Sequence, residues 1–285
     1  MKTGLVLEGG GLRDLFTAAI LDVMMDHELH FDGIIGVSAG ATFGCNYKSH
    51  QRGRSLRYNK AYAHDWRYCS LRSLITTGDL VGAEFAYHTL PTELDPFDNE
   101  AYRADPTQFC VVCTDAHTGE PVYHHVPTFD REGLEWLRAS ASLPIVSRPV
   151  SIGGRLLLDG GISDSIPLRH WQQEGYERNV VILTQPAGFV KKPTSILPLF
   201  RIFCRRYPAI ISAMACRHEM YNAQLDYLRS EAAKGQTLVL CPDVPITIGR
   251  TEMNPDKMQA VYDQGLAYAR ANIHRILAFM RAETK

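Results

Sequence analysis

Several absences narrow what this chain of 285 residues can be. No stretch of about eighteen apolar residues runs without a charge, so we predict no membrane-spanning helix. The net charge is −1, which gives no global reason to expect nucleic acid as a partner. No internal repeat, low-complexity tract or long flexible linker interrupts the chain. We therefore predict one domain over residues 1–285, with its motifs in a core over about 3–184 and a mainly helical part over about 190–285.

Cysteine is too irregularly placed for a disulfide framework. The seven cysteines are odd in number, which fits a reducing intracellular compartment better than a secreted protein. Residues 1–7 hold an apolar run too short for the core of a signal peptide, and we expect a cytoplasmic protein. Cys110 and Cys113 have C-x-x-C spacing, but no second Cys or His pair with ligand spacing accompanies them. We interpret both as buried apolar residues.

Apolar segments alternate with helical patterns at the start of the chain. Strand-like residues 3–8 precede a helical pattern over 12–27, and strand-like residues 31–37 precede a helix that opens at Ala39. This order predicts a parallel βαβ unit and hence an α/β fold with a covered sheet. Residues 65–105 are hard to assign and are our expectation for a lid. The other predicted elements are strands at 109–114, 122–125, 155–158, 180–184 and 237–240, and a helix at 134–142.

A serine stands between the second predicted strand and the helix that follows it. Gly36-Val37-Ser38-Ala39-Gly40 has the form G-x-S-x-G, in the strand-to-helix context that this motif needs. The sharp turn strains Ser38 and exposes its Oγ, while Gly36 and Gly40 carry no side chain that would collide with the turn. The helix directs its positive end toward a developing negative charge. We predict that Ser38 is a nucleophile; the alternative is a small-residue turn used for packing.

A glycine turn, Gly9-Gly10-Gly11, follows the first predicted strand, where the N–H groups that open a helix lack partners within it. Such a turn holds a phosphate or a tetrahedral oxyanion. A dinucleotide fingerprint needs glycine where Asp14 stands, and a phosphate loop needs a Gly-Lys-Ser/Thr ending that is missing. An oxyanion hole explains both glycine turns, because neighbouring parallel strands place them at one sheet edge. Arg13 either stabilises anionic charge there or forms a surface ion pair with Asp14 or Glu8.

A serine nucleophile needs a base, and none of the eleven histidines lies in a motif that marks it out. Asp159 does stand out. It follows the apolar run at 156–158 and precedes Gly160 and Gly161, which leave its carboxylate uncovered. A carboxylate at the carboxyl end of a strand is a candidate for a functional group, whereas an Asp-Gly β-turn is the structural alternative.

Four motifs in this order resemble those of the patatin-like phospholipases, and the resemblance covers about residues 3–184. They are the glycine turn with Arg13, the serine turn, the stretch 139–144 with 148–150 after it, and Asp159-Gly160-Gly161. The resemblance implies a three-layer α/β/α fold with a mainly parallel central sheet and a helical C-terminal part. It also implies a serine esterase that hydrolyses acyl ester bonds of phospholipids or neutral lipids, without a metal or another cofactor.

The reacting groups that the resemblance implies are a Ser38–Asp159 dyad without histidine. The glycine turn, mainly Gly10 and Gly11 with Gly9 and Arg13 nearby, would form the oxyanion hole. An aspartate with an ordinary pKa of about 3.9 is a weak base for an alcohol. The dyad therefore requires a dry site and a well-stabilised oxyanion.

Three positions depart from the family pattern. Asp14 stands where glycine is usual, Ser147 where an aromatic residue is common, and Ser165 where asparagine often follows the Asp-Gly-Gly motif. None of these changes removes a reacting group. We expect them to affect efficiency and substrate more than reaction type.

The segment 191–217 is both basic and apolar. No acidic residue occurs between positions 178 and 218. Such a segment can lie on an anionic membrane surface and bring lipid to a site, which would make the protein peripheral to the membrane. The alternative is a pair of packed helices with a solvated basic face, and Pro198 and Pro208 break any long continuous helix.

Two other functions stay open. An α/β-hydrolase esterase would use a Ser-Asp-His triad with His170, His218 or His274. Its serine turn usually follows several strands, whereas Ser38 follows the second. A catalytically idle protein would instead bind a lipid or a partner protein through the basic segment.

Overall fold

The computed structural model describes residues 1–281, in which helices flank a mixed sheet of eight strands. Five strands run parallel in the order β3-β2-β1-β7-β8; β4 and β6 pair antiparallel with β3, and β5 pairs antiparallel with β6. The predicted α/β fold with a mainly parallel sheet is confirmed. The strands are β1 (Lys2–Leu7), β2 (Gly33–Val37), β3 (Gln108–Asp115), β4 (Pro121–His125), β5 (Val150–Ile152), β6 (Arg155–Asp159), β7 (Tyr176–Ile182) and β8 (Thr237–Leu240).

Within residues 1–281, ten α-helices connect and cover these strands, together with two 3₁₀ turns at 11–14 and 160–162 and a π-helical segment at 85–94. The helical C-terminal part is confirmed, and residues 282–285 of the prediction lie outside the described residues. The helices are α1 (Leu15–Asp26), α2 (Ala39–Lys48), α3 (Arg54–Ala61), α4 (Leu71–Thr77), α5 (Asn99–Ala104), α6 (Arg131–Ser140), α7 (Leu168–Gln173), α8 (Leu197–Phe203), α9 (Pro208–Ala233) and α10 (Pro255–Arg281).

The core lies on both faces of the sheet, because successive side chains of a strand point to opposite faces. Leu5 and Leu7 of β1 are fully buried in one apolar cluster, while Val6 between them belongs to another. Cys113 and Cys110 of β3 divide between the same two clusters, and both thiols are buried and free. The continuous burial of central strands is what a sheet covered on both faces requires.

Helix α10 returns to the first helix of the chain and packs along it. A Cβ atom on Gly265 would lie 2.6 Å from the carbonyl oxygen of Phe16, so the two helices approach more closely there than any larger residue permits. The hydroxyl of Tyr262 donates to the carboxylate of Asp22 across the same contact. The C-terminal helices therefore contribute to the core that supports β1. The expectation of one domain over residues 1–285 stays a prediction.

Two predicted helix boundaries were wrong by a turn or less. The helix predicted at 134–142 is α6, which begins earlier because the side chain of Asp130 accepts a hydrogen bond from the N–H of Gly133 at 3.0 Å. The helix predicted at 12–27 begins as a 3₁₀ turn before α1. Residues 65–105 contain α4, the π-helical segment and α5, and the lid expectation stays a prediction.

The pairing along β3 sets the position of the site. Val112 pairs with Val37 of β2, Cys113 pairs with Asp159 of β6, and β4 pairs with both residues as well. Because a strand has two edges and β4 occupies one, β2 and β6 lie end to end along the other. β2 runs parallel to β3 and β6 runs antiparallel, so their carboxyl ends meet. This meeting brings the serine turn beside Asp159.

In the described part of the chain, no helix combines the length and the apolar character needed to cross a membrane.

Candidate active site

Ser38 occupies a strained turn between β2 and α2. Its backbone has φ 55° and ψ −126°, in the region that residues with a side chain rarely adopt. A Cβ atom on Gly36 would lie 2.6 Å from Cα of Ala41, and one on Gly40 would lie 2.6 Å from the carbonyl oxygen of Glu8. Both glycines are therefore needed for the turn to close. Ser38 itself is partly exposed, so its Oγ is accessible.

The glycine turn packs directly against the serine. A Cβ atom on Gly9 would lie 2.7 Å from Cβ of Ser38. Gly11 has φ 63°, which turns the chain into the helix that follows. Among residues 1–281, the backbone N–H groups of Gly11 and Ala39 have no hydrogen-bond acceptor. Two free donors therefore lie at the starts of the two helical segments that open beside Ser38.

Gly10 differs from its neighbours, since its N–H donates to the carboxylate of Asp14. Asp14 is fully buried, and burial, together with the nearby Glu8, raises its pKa well above the ordinary value. The residue that departs from the family pattern thus uses one backbone donor of the turn. It also places a second carboxyl group beneath the glycines.

Asp159 lies at the end of β6 with 3% of its surface exposed. Its Oδ1 accepts a hydrogen bond of 2.8 Å from the N–H of Gly161, while Oδ2 has no well-aligned donor among the described residues. Burial raises the pKa of Asp159, while hydrogen bonds from the Ser38 hydroxyl and the Gly161 N–H lower it. Oδ2 is the carboxylate oxygen left for the Ser38 hydroxyl.

Residues at the end of α6 hold the backbones of Ser38 and Asp159 by hydrogen bonds, and the sequence did not single them out as site residues. The backbone N–H of Ser38 donates to Oγ of Ser140 at 2.8 Å, and that hydroxyl donates to the carbonyl of Val112 at 2.7 Å. The backbone N–H of Asp159 donates to the carbonyl of Ser142 at 2.8 Å. The Ser140 hydroxyl and the Ser142 backbone explain physically why the stretch 139–144 accompanies the other motifs.

Two cationic residues lie near Asp159, and neither was a sequence-predicted site residue. The guanidinium of Arg217 donates to the carbonyl of Gly161 and to Oγ of Ser165, the latter at 3.2 Å. Arg250 lies against the glycine turn, where its carbonyl accepts a 3.0 Å hydrogen bond from the N–H of Leu12. Both guanidinium groups lower the pKa of Asp159. Because both arginines lie far from Asp159 in sequence, no local pattern could have revealed them.

Arg13 is half-buried beside Glu8 and Asp14. Burial lowers the pKa of its guanidinium, and within residues 1–281 it makes no ion pair with either carboxylate. Glu8 is bound elsewhere, because it accepts hydrogen bonds from the hydroxyl of Tyr221 at 2.6 Å and from Thr184. The surface ion pair offered as one alternative for Arg13 is therefore absent from the described residues.

A cavity of about 140 Å³ joins the glycine turn, Ser38 and Asp159. Its other walls are largely apolar and include residues of the 65–105 segment. A second apolar cavity, of about 90 Å³, continues from Phe43, Tyr68 and Tyr87 toward Phe97. The residues of the 65–105 segment that line the first cavity are Tyr68, Cys69, Leu80, Val81 and Tyr87.

None of the three triad histidines lines the cavity that holds Ser38. His170 stacks on Tyr123 with ring centroids 3.4 Å apart and pairs with Glu174 at 2.9 Å. His274 is exposed on α10. His218 borders a neighbouring cavity that also contacts Asp159. His218 is therefore the histidine that a test of the triad must address most directly.

Comparison with known proteins gives two family matches. A family model described as patatin-like phospholipase matches residues 5–170. A second model, described as a domain of unknown function (DUF6363), matches residues 207–281.

Similar individual proteins include one without an assigned function. The chain is 32% identical over 200 residues to the uncharacterized protein YjjU of Escherichia coli (strain K12), and this alignment covers 67% of this chain and 54% of that protein. It is 27% identical over 291 residues to lysophospholipase NTE1 of Debaryomyces hansenii, and this alignment covers 94% of this chain and 18% of that protein. The chain thus spans about half or less of the length of these curated relatives. Among solved structures, VipD from Legionella pneumophila aligns over 96% of this chain and 67% of its own, with 13% identity and a TM-score of 0.46.

We expect Ser140→Ala to lower the free energy of unfolding by about 1–3 kcal/mol, because it leaves the Ser38 N–H without an acceptor in a buried turn. Ser142→Ala is the matched control: its hydroxyl donates to the carbonyl of Arg138, which also accepts from the Ala141 N–H. Urea unfolding of both variants measures the difference. Equal losses of stability would contradict a specific role for the Ser140 hydroxyl.

Proposed function

The chain belongs to the patatin-like phospholipase family, and on that premise we propose that it hydrolyses carboxylic ester bonds of lipids with Ser38 and Asp159. The observation that carries the proposal is the meeting of β2 and β6 along β3, with a partly exposed serine and a buried carboxylate on one cavity. The relatives named lysophospholipase support a lipid substrate. The proposed reaction needs no metal.

In the first half of the reaction, Ser38 Oγ attacks the ester carbonyl carbon while its proton passes to Asp159 Oδ2. The tetrahedral intermediate then expels the alcohol, which takes that proton, and leaves an acyl group on Ser38. In the second half, water attacks the acyl carbon and gives a proton to Asp159. Collapse releases the carboxylic acid, and Ser38 Oγ recovers the proton. Burial of Asp159 assists both halves, because a raised pKa makes a carboxylate a stronger base.

The oxyanion would be stabilised by the N–H groups of Gly11 and Ala39, which have no acceptor within residues 1–281. Ala39 directly follows the nucleophile, as the usual donor does in a serine turn of this type. Gly9 supports the hole by allowing close approach to Ser38. Gly10 contributes less directly than the sequence suggested, because its N–H is already bonded to Asp14.

The acyl chain would occupy the two apolar cavities that meet at Phe43, Tyr68 and Tyr87. Burial of a hydrocarbon chain against such walls contributes about 0.8 kcal/mol per methylene group. Asp159 itself is 3% exposed, so bulk water has little access to it, as a carboxylate base requires.

We expect Ser38→Ala and Asp159→Asn each to lower kcat on a p-nitrophenyl ester by about 10²-fold or more, since each removes a reacting group. His170→Ala, His218→Ala and His274→Ala should keep activity within about threefold of wild type. A fluorophosphonate probe should label Ser38 in wild type and fail to label Ser38→Ala.

The outcomes separate the alternatives. Loss of activity in His218→Ala, with Asp159→Asn active, would support the triad instead of the dyad. Absence of probe labelling and of ester hydrolysis by the folded wild-type protein would leave the catalytically idle protein as the remaining interpretation.

The pH dependence should report Asp159. Because the carboxylate must be unprotonated to accept the serine proton, kcat/KM rises with pH through its pKa, which burial raises above the ordinary 3.8. Arg250→Met removes a positive charge that lowers this pKa, so the acid limb should move to higher pH. Arg270→Met, on the exposed side of α10, is the control for a lost positive charge. An acid limb that stays in place in Arg250→Met would argue against Asp159 as the titrating base.

We also propose peripheral membrane contact through part of the basic segment. Ile202 and Phe203 at the end of α8 are each 64% exposed, and Arg201, Arg205 and Arg206 beside them are exposed as well. An apolar patch bordered by cations suits an anionic lipid surface. Lys191 and Arg217 do not belong to this surface, since both are half-buried and line a cavity that also contacts Asp159.

Replacing Arg201, Arg205 and Arg206 together by Gln should weaken binding to vesicles with anionic lipid by about tenfold or more, since each cation near the surface contributes about 1 kcal/mol. The control replaces three exposed arginines elsewhere, Arg155, Arg229 and Arg270. Vesicle flotation with anionic and neutral vesicles measures the effect. Equal binding by both triple variants would refute the proposed surface.

A further inference from the structure

A second, larger cavity adjoins the proposed active site. It has a volume of about 590 Å³ and shares Asp159, Gly161, Arg217 and Arg250 with the cavity that holds Ser38. Its volume lies in the range of pockets that hold small organic ligands, about 300–1,000 Å³. An ester bound at Ser38 therefore has two directions available, the aromatic cavities on one hand and this cavity on the other. The remaining wall combines apolar residues such as Phe189, Leu199 and Phe200 with Lys191 and Lys192.

The cations on this cavity have no acidic partners. Within residues 1–281, Lys191, Lys192 and Arg250 make no side-chain ion pair, and Arg217 donates to two uncharged oxygens. Lys191 Nζ lies 4.4 Å from the ring centroid of Tyr221, a contact that offsets its charge only in part. Four positive groups thus line one cavity without a carboxylate bonded to any of them.

The cost of this clustering falls on Lys191, which is half-buried, whereas Lys192 and Arg250 are exposed. Burial, with the charges of Arg217 and Arg250, lowers the pKa of Lys191 to about 7. Neither carboxylate that acts on the cluster is bonded to one of its cations: Glu8 accepts from Tyr221 and Thr184, and Asp159 accepts from the Gly161 N–H through Oδ1 while Oδ2 is left for Ser38. An anion with several acceptor oxygens would remove the repulsion and satisfy the donors together.

We propose that this cavity binds the phosphate group of the substrate's alcohol half, with Lys191, Arg217 and Arg250 as its ligands. The inference rests on the proposed function, because it assigns the alcohol side of the ester that Ser38 would cleave. The acyl half occupies the aromatic cavities, and the leaving alcohol carries its phosphate into the cationic cavity. Guanidinium groups match phosphate oxygens in pairs, and the lysine adds a compact charge. The site therefore selects lipid esters whose alcohol bears a phosphate over uncharged esters of the same acyl chain.

The test compares two substrates with one acyl chain, a 1-acylglycerol 3-phosphate and the matching 1-monoacylglycerol, in detergent micelles that remove the vesicle surface from the measurement. In wild type, kcat/KM should be higher for the phosphate-bearing ester. Lys191→Met and Arg250→Met should each lower the ratio of the two kcat/KM values by about tenfold, the loss of one charge-assisted contact. Lys191→Arg should restore most of the ratio, and the control Arg270→Met should leave it unchanged.

Direct binding separates this proposal from the proposed catalysis. Calorimetric titration of Ser38→Ala with glycerol 3-phosphate should give binding that Lys191→Met weakens about tenfold, whereas inorganic phosphate should bind less tightly than glycerol 3-phosphate. Binding that depends on Lys191, in a protein that hydrolyses neither ester, would keep the phosphate site and reject the esterase. Hydrolysis of both esters with a ratio unaffected by Lys191→Met would overturn the phosphate site and keep the esterase. If inorganic phosphate binds as tightly as glycerol 3-phosphate and does not inhibit hydrolysis, the cavity is a site for free phosphate. That result would also overturn the proposal that it binds the phosphate group of the substrate.

Discussion

The end-to-end arrangement of β2 and β6 along one edge of β3 is the constraint on which the rest of the site depends. Val37 pairs with Val112 and Asp159 with the next residue, Cys113, so the pairing of one strand fixes the separation of serine and aspartate. Neither residue needs a flexible loop to reach the other. A shift in the pairing of β6 by one residue would turn the Asp159 side chain to the opposite face of the sheet. The geometry of the proposed dyad is in this way a consequence of strand register.

The structure around this junction holds the two residues without covering them. Ser140 and Ser142 at the end of α6 bond the backbones of Ser38 and Asp159 and leave both side chains free to react. The glycines allow the first turn to touch the second, and the strain at Ser38 persists because the surrounding contacts determine it. Packing and hydrogen bonding thus support a conformation that the local chain would not adopt by itself.

Electrostatics adds a second constraint, because the proposed base is a buried carboxylate and must remain charged often enough to accept a proton. Burial raises the pKa of Asp159, and the nearby guanidinium groups oppose that rise. The same cations line the larger cavity, so one cluster serves both the base and the proposed phosphate. Asp14 shows how a single residue alters such a site, since it takes the Gly10 N–H for itself. The charge of the proposed substrate and the basicity of Asp159 are then coupled through residues distant in sequence.

The strand-like segments, the two glycine turns and the Asp-Gly-Gly motif could be predicted from the sequence because each depends on residues close together in the chain. Short-range periodicity determined the parallel unit, and the small residues around Ser38 determined the turn. The roles of Arg217, Arg250, Ser140 and the inward-facing Lys191 could not be predicted in this way. Lys191 and Arg217 looked like members of a basic surface, yet packing of the chain after β7 turned them toward a cavity while Arg201 stayed exposed. Sequence alone determined the candidate reacting groups, and tertiary structure decided which charges face them, because burial and the direction of a side chain are set by contacts with residues far along the chain.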